Sequence, residues 1–493
     1  MVDKLVVSKV NEAFIKIDCE PSIAAELSAY FTFDVPGAKF SPQYRARIWD
    51  GKIRLCDRRT NQLYHGLYEY VSVFAKERDY VVEFEPNVLA TTNFSLKEAE
   101  EFTQSLNIHS MGKPLTVRDY QLEAFTKAIR NRRQLLLSPT ASGKSAIAYL
   151  ICRYLKGKKG LIVVPTTSLV EQLYKDFADY SSANGWSAEN KITKLYQGQK
   201  VDLSKRICIS TWQSLYKLPK SWFKDFDFVI GDEAHLFKAK SLTTIMSNLD
   251  SCGIRIGMTG TLDGAKTHRL VLEGLFGPVR KVVSTNELIE RKQLADFKIK
   301  ALILKYPDNI CHSVRKFSYQ EEIDFIVANE SRNNFIKNLA LSLKGNTLIL
   351  FQYVDKHGKN LYDIINQKCT DRHCFFVHGG VDVEDREKVR DVMEKENNVI
   401  AVASYGVFST GTNIRNLHNI IFASPTKSKI RSLQSIGRVL RLGDRKEQAV
   451  LFDIVDDLRY KTHDNYTLLH YIERLKIYDE EKFEYKQYNV ELK

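Results

Sequence analysis

The segment from Gln134 to Cys152 constrains the fold more than any other. A short apolar strand, Gln134-Leu-Leu-Leu137, runs into Ser138-Pro-Thr-Ala-Ser-Gly-Lys-Ser145, and an apolar helix, Ala146-Ile-Ala-Tyr-Leu-Ile-Cys152, follows. Strand, small-residue loop, Gly-Lys-Ser and helix is the layout of a phosphate-binding loop. Free N–H groups at a helix N-terminus attract anions. Pro139, Thr140, Ala141, Ser142 and Gly143 would line the phosphates, with Gly143 allowing close approach. Lys144 would reach the terminal phosphates, and the Ser145 hydroxyl would ligate Mg²⁺. Ser138 stands where the pattern has its first glycine. Gly51-Lys52, Gly112-Lys113, Gly157-Lys158 and Gly358-Lys359 lack the hydroxyl residue, so the reading rests on what surrounds the loop.

From residue 115 onward, short apolar strands alternate with helices, which implies a parallel α/β sheet. Ligands of such sheets sit at strand carboxyl ends. Gly160-Leu-Ile-Val-Val164 ends in Pro165-Thr-Thr-Ser168, and Arg206-Ile-Cys-Ile-Ser210 ends in Thr211-Trp-Gln-Ser214. Hydroxyls there suit phosphate contacts, with Thr166 and Thr211 as candidates. Phe226-Asp-Phe-Val-Ile-Gly runs into Asp232-Glu-Ala-His235. A carboxylate at that strand end can hold Mg²⁺ beside Ser145, and its neighbour can orient or deprotonate water. Ile254-Arg-Ile-Gly-Met258 ends in Thr259-Gly-Thr261, whose hydroxyls could sense the nucleotide. Upstream lies Arg118-Asp-Tyr-Gln121, where the Gln121 amide can pair with an adenine edge.

The rhythm restarts with Thr347-Leu-Ile-Leu-Phe351, Cys374-Phe-Phe-Val-His378 and Asn398-Val-Ile-Ala-Val-Ala403, without a second phosphate loop. Further on come Ser404-Tyr-Gly-Val-Phe-Ser-Thr-Gly-Thr-Asn413 and Ser432-Leu-Gln-Ser-Ile-Gly-Arg-Val-Leu-Arg441. On a helix, Gln434, Gly437, Arg438 and Arg441 share one face. Two guanidiniums and a glycine on that face point to a close anionic partner. Residues 466–478 form an amphipathic helix expected to dock on this second domain.

Before residue 100 the chain reads as short strands around Ile15–Asp18 with a helix from Ser22. Arg45-Ala-Arg-Ile-Trp-Asp-Gly-Lys-Ile-Arg-Leu-Cys56 carries Asp50-Gly51, a strong two-residue hairpin turn. The expected ribbon puts Arg45, Arg47, Trp49, Lys52 and Arg54 on one face, suited to phosphates and a stacked base. Ala46, Ile48, Ile53 and Leu55 form its apolar back. A helix near Ser95–Leu106 lies in a more polar stretch that reads as a connector.

The 493 residues carry a net charge of +13 and 44% hydrophobic residues. Ample core is available, and the basic balance suits a polyanion. Eight cysteines at irregular spacing, with no secretory signal pattern, read as free thiols. Cys369, His373, Cys374 and His378 lack regular four-ligand zinc spacing. No apolar run approaches the ~18 residues of a membrane span.

Taken in order, Arg118–Gln121, Ser138–Ser145, Pro165–Ser168, Thr211–Ser214, Asp232–His235, Thr259–Thr261, Phe351-Gln352, Val377–Gly380, Ala403–Asn413 and Gln434–Arg441 resemble the motif series of superfamily-two helicases. With the Arg45–Cys56 segment and the C-terminal helix, nearly the whole chain resembles the UvsW-type recombination and repair helicases of T-even-like phages. The resemblance implies an α/β protein with two RecA-like parallel-sheet domains in tandem, preceded by a small α+β nucleic-acid-binding domain. The expected boundaries are 1–100 for the N-terminal domain, 101–114 for a connector and 115–290 for the first RecA-like domain. A linker would follow at 291–330, and the second RecA-like domain at 331–493.

The resemblance also implies ATP-driven 3′→5′ unwinding and branch migration of forks, junctions and R-loops. ATP would bind through Arg118, Gln121, the loop 139–145 and Gly411, and Mg²⁺ through Ser145 and Asp232. Lys144, Asp232, Glu233, Gln434, Arg438 and Arg441 would be catalytic, the last two reaching the γ-phosphate. Thr166, Thr211, Gln352 and Thr410 would grip the strand, with the N-terminal ribbon on the branch. Expected partners are branched and single-stranded DNA, RNA–DNA hybrids, and recombination or single-strand-binding proteins of phage or host. The expected setting is a monomeric motor in the infected host's cytoplasm, away from membranes. Three other readings stay open. One is the motor of a restriction system, for which Glu484-Tyr-Lys486 is a poor nuclease match. The others are an RNA helicase and an ATP-independent annealing protein.

Overall fold

The computed structural model describes residues 4–196, 204–236, 239–262, 266–409, 414, 416–425, 436, 437, 440 and 448–492. They group into two compact units. One comprises residues 1–283 apart from the loop tip 139–141, and the other begins at Ser284.

The first unit holds two large sheets and, among the described residues, two two-stranded ones. The N-terminal one has five strands in the order Cys56–Asp57, Gln62–Tyr64, Phe14–Asp18, Lys4–Lys9, Val81–Phe84. Its pairings are antiparallel except between Lys4–Lys9 and Val81–Phe84. Helices Pro21–Tyr30 and Tyr68–Lys76 supply Ile23, Leu27, Val71 and Phe74 to its core.

The second sheet has seven strands in the order Ile192–Leu195, Ile207–Thr211, Gly160–Val164, Phe228–Asp232, Ile254–Thr259, Arg133–Leu137, Val279–Lys281, all parallel. Its strands are unbroken apolar runs because both faces are covered. Leu136, Ile162, Val164, Ile230 and Ile256 face the helices Asp119–Asn131 and Lys144–Tyr154. Leu135, Leu161, Val163 and Val229 face the other way, into a core that is continuous with the N-terminal sheet.

That continuity has a close backbone approach at its centre. A Cβ on Gly66 would lie 2.0 Å from the Glu273 carbonyl oxygen. Arg133, at the start of its strand, bonds the Glu12 carboxylate at 2.5 Å with both side chains largely buried. The stretch read as a connector also packs. Ser95 caps helix Leu96–Ser105 in a reciprocal box with Glu98. Phe94 and Phe102 then pack edge-on or tilted against Phe125 and Tyr154 of the first parallel domain.

The second unit is one seven-stranded parallel sheet ordered Cys374–Val377, Ile400–Ser404, Thr347–Phe351, Asn419–Phe422, Gln448–Asp457, Asp296–Lys305, Glu484–Glu491. Residues 291–330 are therefore more than a linker, since Asp296–Lys305 is an internal strand. Two helices, Tyr319–Ala328 and Glu330–Ser342, follow it, parted where Asn329 leaves helical dihedrals to cap the second. The helix Tyr466–Glu480 docks on this sheet, as its pattern predicted. Arg474 reaches buried Asp453 at 2.9 Å, and the N-terminus of the helix donates to Glu322. The chain then adds the edge strand Glu484–Glu491, which contains the segment compared with a nuclease motif.

The Arg45–Cys56 ribbon is corrected. Pro42 opens a short helix, Pro42–Arg45, and Arg47 takes a left-handed φ of 57°, so residues 45–49 are not extended. Asp50 instead accepts from the Lys52 N–H and clamps the Arg54 guanidinium. Lys52–Arg54 pairs antiparallel with Thr32–Asp34. Among the described residues no helix is long and apolar enough to cross a membrane, and no three His, Cys, Asp or Glu side chains cluster as a metal site.

Candidate nucleotide site

The phosphate loop joins strand Arg133–Leu137 to helix Lys144–Tyr154, as its pattern predicted. Ala141 and Gly143 both take left-handed φ, 68° and 84°, which turns the chain so that Lys144 begins the helix. A Cβ on Gly143 would meet the Gln121 amide nitrogen at 2.2 Å, so glycine is required there for space as well as for dihedral. Ser138 Oγ and Ser142 Oγ bond at 2.6 Å and close the loop on itself. A serine thus does useful work where the family pattern has glycine.

A second layer holds the loop from outside. Gln121 Nε2 donates to the Ser142 carbonyl at 2.8 Å, and its Oε1 accepts from Arg118 N–H at 3.0 Å. Arg118 Nη1 donates to Tyr120 OH, which in turn donates to the Ser142 carbonyl at 3.1 Å. Arg118 and Gln121 are thus brought to the loop, but Gln121 is 6% exposed and both ends of its amide are engaged. Tyr120 belongs to this brace; it lies inside the quoted motif, yet residue type alone did not single it out.

Asp232 and Glu233 arrive from the end of strand Phe228–Asp232. Glu233 has a φ of 48°, and this tight turn aims its carboxylate back at the loop. Lys144 Nζ lies 3.2 Å from Glu233 Oε1 and donates to the Ser138 carbonyl at 3.2 Å. Asp232 Oδ1 accepts from the Glu233 N–H at 3.0 Å. Burial, and then the neighbouring Glu233 charge, push the Asp232 carboxyl well above the usual carboxylate range. It is a buried carboxylate short of positive charge, an environment that suits a divalent cation.

His235 is buried, and burial lowers its pKa to about 4, so the ring is neutral. Its Nδ1 lies 2.5 Å from Thr259 Oγ1, whose own proton goes to the Thr261 carbonyl at 2.7 Å. The proton between ring and hydroxyl must then sit on Nδ1. This chain of bonds ties the Asp232–His235 turn to the end of the neighbouring strand.

Ser145 has a partner that the sequence did not signal. Its Oγ lies 2.8 Å from Tyr180 OH, at the end of helix Thr167–Tyr180. Tyr180 also packs against Tyr149, one turn below Ser145. The two residues are 35 positions apart and only packing brings them together.

The remaining candidates are scattered. Thr166 caps helix Thr167–Tyr180 by accepting from Leu169 N–H. Thr211 is 4% exposed, and its hydroxyl pairs with Ser214. Gln352 is exposed at its strand end, where its N–H donates to Ser424 Oγ. Thr410, Gly411, Gln434, Arg438 and Arg441 lie outside the described residues, as does the helix read over 432–441 apart from residues 436, 437 and 440.

In the N-terminal region, beside the two-stranded pair of Thr32–Asp34 and Lys52–Arg54, Arg45 and Arg47 are exposed, Trp49 Nε1 donates to the Lys52 carbonyl, and Arg54 is committed to Asp50. Phe40, Tyr44 and Ile48 stand 67%, 41% and 79% exposed among these bases.

Three family descriptions match in order. They are the N-terminal domain of DNA helicase UvsW at 7–85, the res subunit of type III restriction enzymes at 114–264, and the helicase conserved C-terminal domain at 331–443. The chain is 36% identical to the ATP-dependent DNA helicase uvsW of Enterobacteria phage T4, over 97% of this chain and 98% of that one. It is 23% identical to the DNA 3′-5′ translocase XPB2 of Sulfurisphaera tokodaii, over 72% and 85%. The crystal structure of T4 UvsW superposes with a TM-score of 0.54 at 34% identity, covering all of both chains. A fragment of a putative HsdR subunit of a type I restriction enzyme from Vibrio vulnificus gives a TM-score of 0.57 at 17% identity, over 80% and 72%, which shows the shared fold. With both parallel sheets and the N-terminal sheet accounted for, the chain belongs to the UvsW helicase family.

Proposed function

We propose that this protein spends ATP to move 3′→5′ along DNA, unwinding and branch-migrating forks, junctions and R-loops. The observation that carries this reading is the meeting of Lys144 with Glu233 beside buried Asp232, in a chain related to a DNA helicase from end to end. Lys144 and the N–H groups of the loop hold the phosphates. Glu233, released from Lys144 as the phosphates arrive, orients the attacking water and takes its proton. Ser145 and Asp232 are the residues that would hold Mg²⁺, which when bound draws charge off the transferring phosphoryl group. Arg438 and Arg441 supply further positive charge at the γ-phosphate, with Gln434 and Gly411 close to the nucleotide. Arg118 and Gln121 brace the loop, and Gln121 reads adenine by exchanging one of its present bonds.

Thr166, Thr211, Gln352 and Thr410 serve the translocated strand. The exposed Arg45, Arg47 and Trp49, with Phe40, Tyr44 and Ile48, suit a branch point, where bases give rings and apolar chains something to stack on. Lys52 and Arg54 add to the local positive field. The working setting is the cytoplasm of an infected host, alongside recombination and single-strand-binding proteins.

The test compares ATP turnover on branched DNA, linear duplex and single-stranded RNA, in wild type and Lys144→Ala. Strong stimulation by branched DNA, abolished in the variant, is expected. Full turnover in the variant, or preference for RNA, would reject the reading. Arg47→Ala with Trp49→Ala should weaken binding to branched DNA and lower its salt dependence.

A further inference from the structure

Among the described residues nothing packs over one corner of the second unit's sheet. Alternate residues of a strand share a face. The parallel register sets Lys298 opposite Glu484, Lys300 opposite Lys486 and Leu302 opposite Tyr488. On the other side of the same strand, Lys300 is level with Phe452. Further along this face, Leu302, Leu304 and Ile454 are buried in the core beneath the helices 308–342. The reverse face is covered as well, with Ala301 and Val455 packed on Leu468 and Tyr471 of helix Tyr466–Glu480. At the amino ends of the strands, however, these side chains line a hollow of about 240 Å³.

Among the described residues that line it, three lysines stand against one carboxylate, Glu484. Among the described residues Lys298, Lys300 and Lys486 make no ion pair. Lys300 sits 5.6 Å from the Phe452 ring centroid. Lys300 and Lys486 are neighbours across two strands, and like charges so placed are unfavourable. A lysine on an edge strand discourages pairing with other chains, which accounts for Lys486. It does not account for Lys298 and Lys300, whose strand is flanked on both sides. Tyr488 is 42% exposed beside them. The patch also lies at the opposite end of this sheet's strands from Gln352.

We propose that this corner binds the phosphate backbone of a duplex arm of the branched substrate. The inference rests on the DNA-helicase reading above. Three ammonium groups without an ion pair among the described residues, against one Glu484 carboxylate, suit a polyanion, and the single exposed ring argues against single-stranded DNA, which is held by successive stacked bases. No base is read, so the contact is independent of sequence.

The experiment measures binding of the full chain to a short labelled duplex, without nucleotide, across a salt series. Wild type is compared with the triple variants Lys298→Gln/Lys300→Gln/Lys486→Gln and Lys298→Arg/Lys300→Arg/Lys486→Arg. Each phosphate contact contributes about 0.9 to the slope of log K against log salt. The Gln variant should lose about two to three units of slope at an unchanged unfolding midpoint, and the Arg variant should keep them. If the Gln variant unfolds, Lys300→Gln and Lys486→Gln are read singly, each expected to lose about one unit. An unchanged slope in a folded variant, or a loss confined to binding an acidic protein, overturns this inference alone. A wild type that does not bind duplex at all overturns the helicase reading with it.

Discussion

The Lys144 ammonium and the Glu233 carboxylate face each other at 3.2 Å across the mouth of the phosphate loop. Each is the other's counter-ion until phosphates arrive. Glu233→Gln should therefore bind ATP at least as tightly as wild type, because Lys144 is freed, while turnover falls by roughly 10²-fold or more. Lys144→Ala should lose affinity and turnover together. Equilibrium nucleotide binding beside steady-state hydrolysis separates the two, and equal loss of binding in both variants would contradict these roles.

Tyr180 holds the Ser145 hydroxyl at 2.8 Å, and under the proposed function Ser145 would have to turn from it to ligate a cation. Tyr180→Phe removes that competitor. With one hydrogen bond worth about 1 kcal/mol, the Mg²⁺ concentration for half-maximal nucleotide binding should fall roughly five-fold. A rise, or no change, would show that the tyrosine does not restrain Ser145.

The N-terminal sheet and the first parallel sheet share the Glu12–Arg133 pair. Burial alone would raise the Glu12 carboxyl, but Arg133 and Lys9 outweigh it and bring the pKa to about 2. Glu12→Ala leaves Arg133, 7% exposed, without its carboxylate, a loss that costs about 3–5 kcal/mol. Replacing both by apolar residues of similar volume should recover much of it. Denaturant midpoints of the three proteins check this, and a double variant as unstable as Glu12→Ala would count against it.

Burial also lowers His65 to about 3, His235 to about 4 and His357 to about 3. Below pH ~6.5 the unfolded chain protonates these rings while the folded one does not. Stability is therefore full above that pH and falls as acid is added, by roughly 1.4 kcal/mol per pH unit for each ring. Asp232, shifted upward, works the other way in the first unit. In the second unit His357 is held between Ser424 and Asn333. Urea midpoints should fall from pH 7 to pH 5, and a flat profile would contradict the neutral buried rings.

Sequence alone determined the two parallel α/β domains, the strand–loop–helix of residues 133–154 and the placement of Asp232–His235 at a strand end. Apolar runs broken by small residues, and carboxylates at strand ends, are local patterns, and a parallel sheet leaves each strand few other places to go. The loss of the Arg45–Cys56 hairpin was not legible, because Pro42 and the availability of Thr32–Asp34 as a partner outweighed a favourable turn. The internal strand Asp296–Lys305 was equally hidden, since its partners lie some 150 and 180 positions further on. Tyr180 on Ser145, Arg133 on Glu12 and three lysines on one open face are likewise tertiary facts. They depend on which surfaces come to rest together, and that is set by burying area across the whole chain and not by any residue's neighbours in sequence.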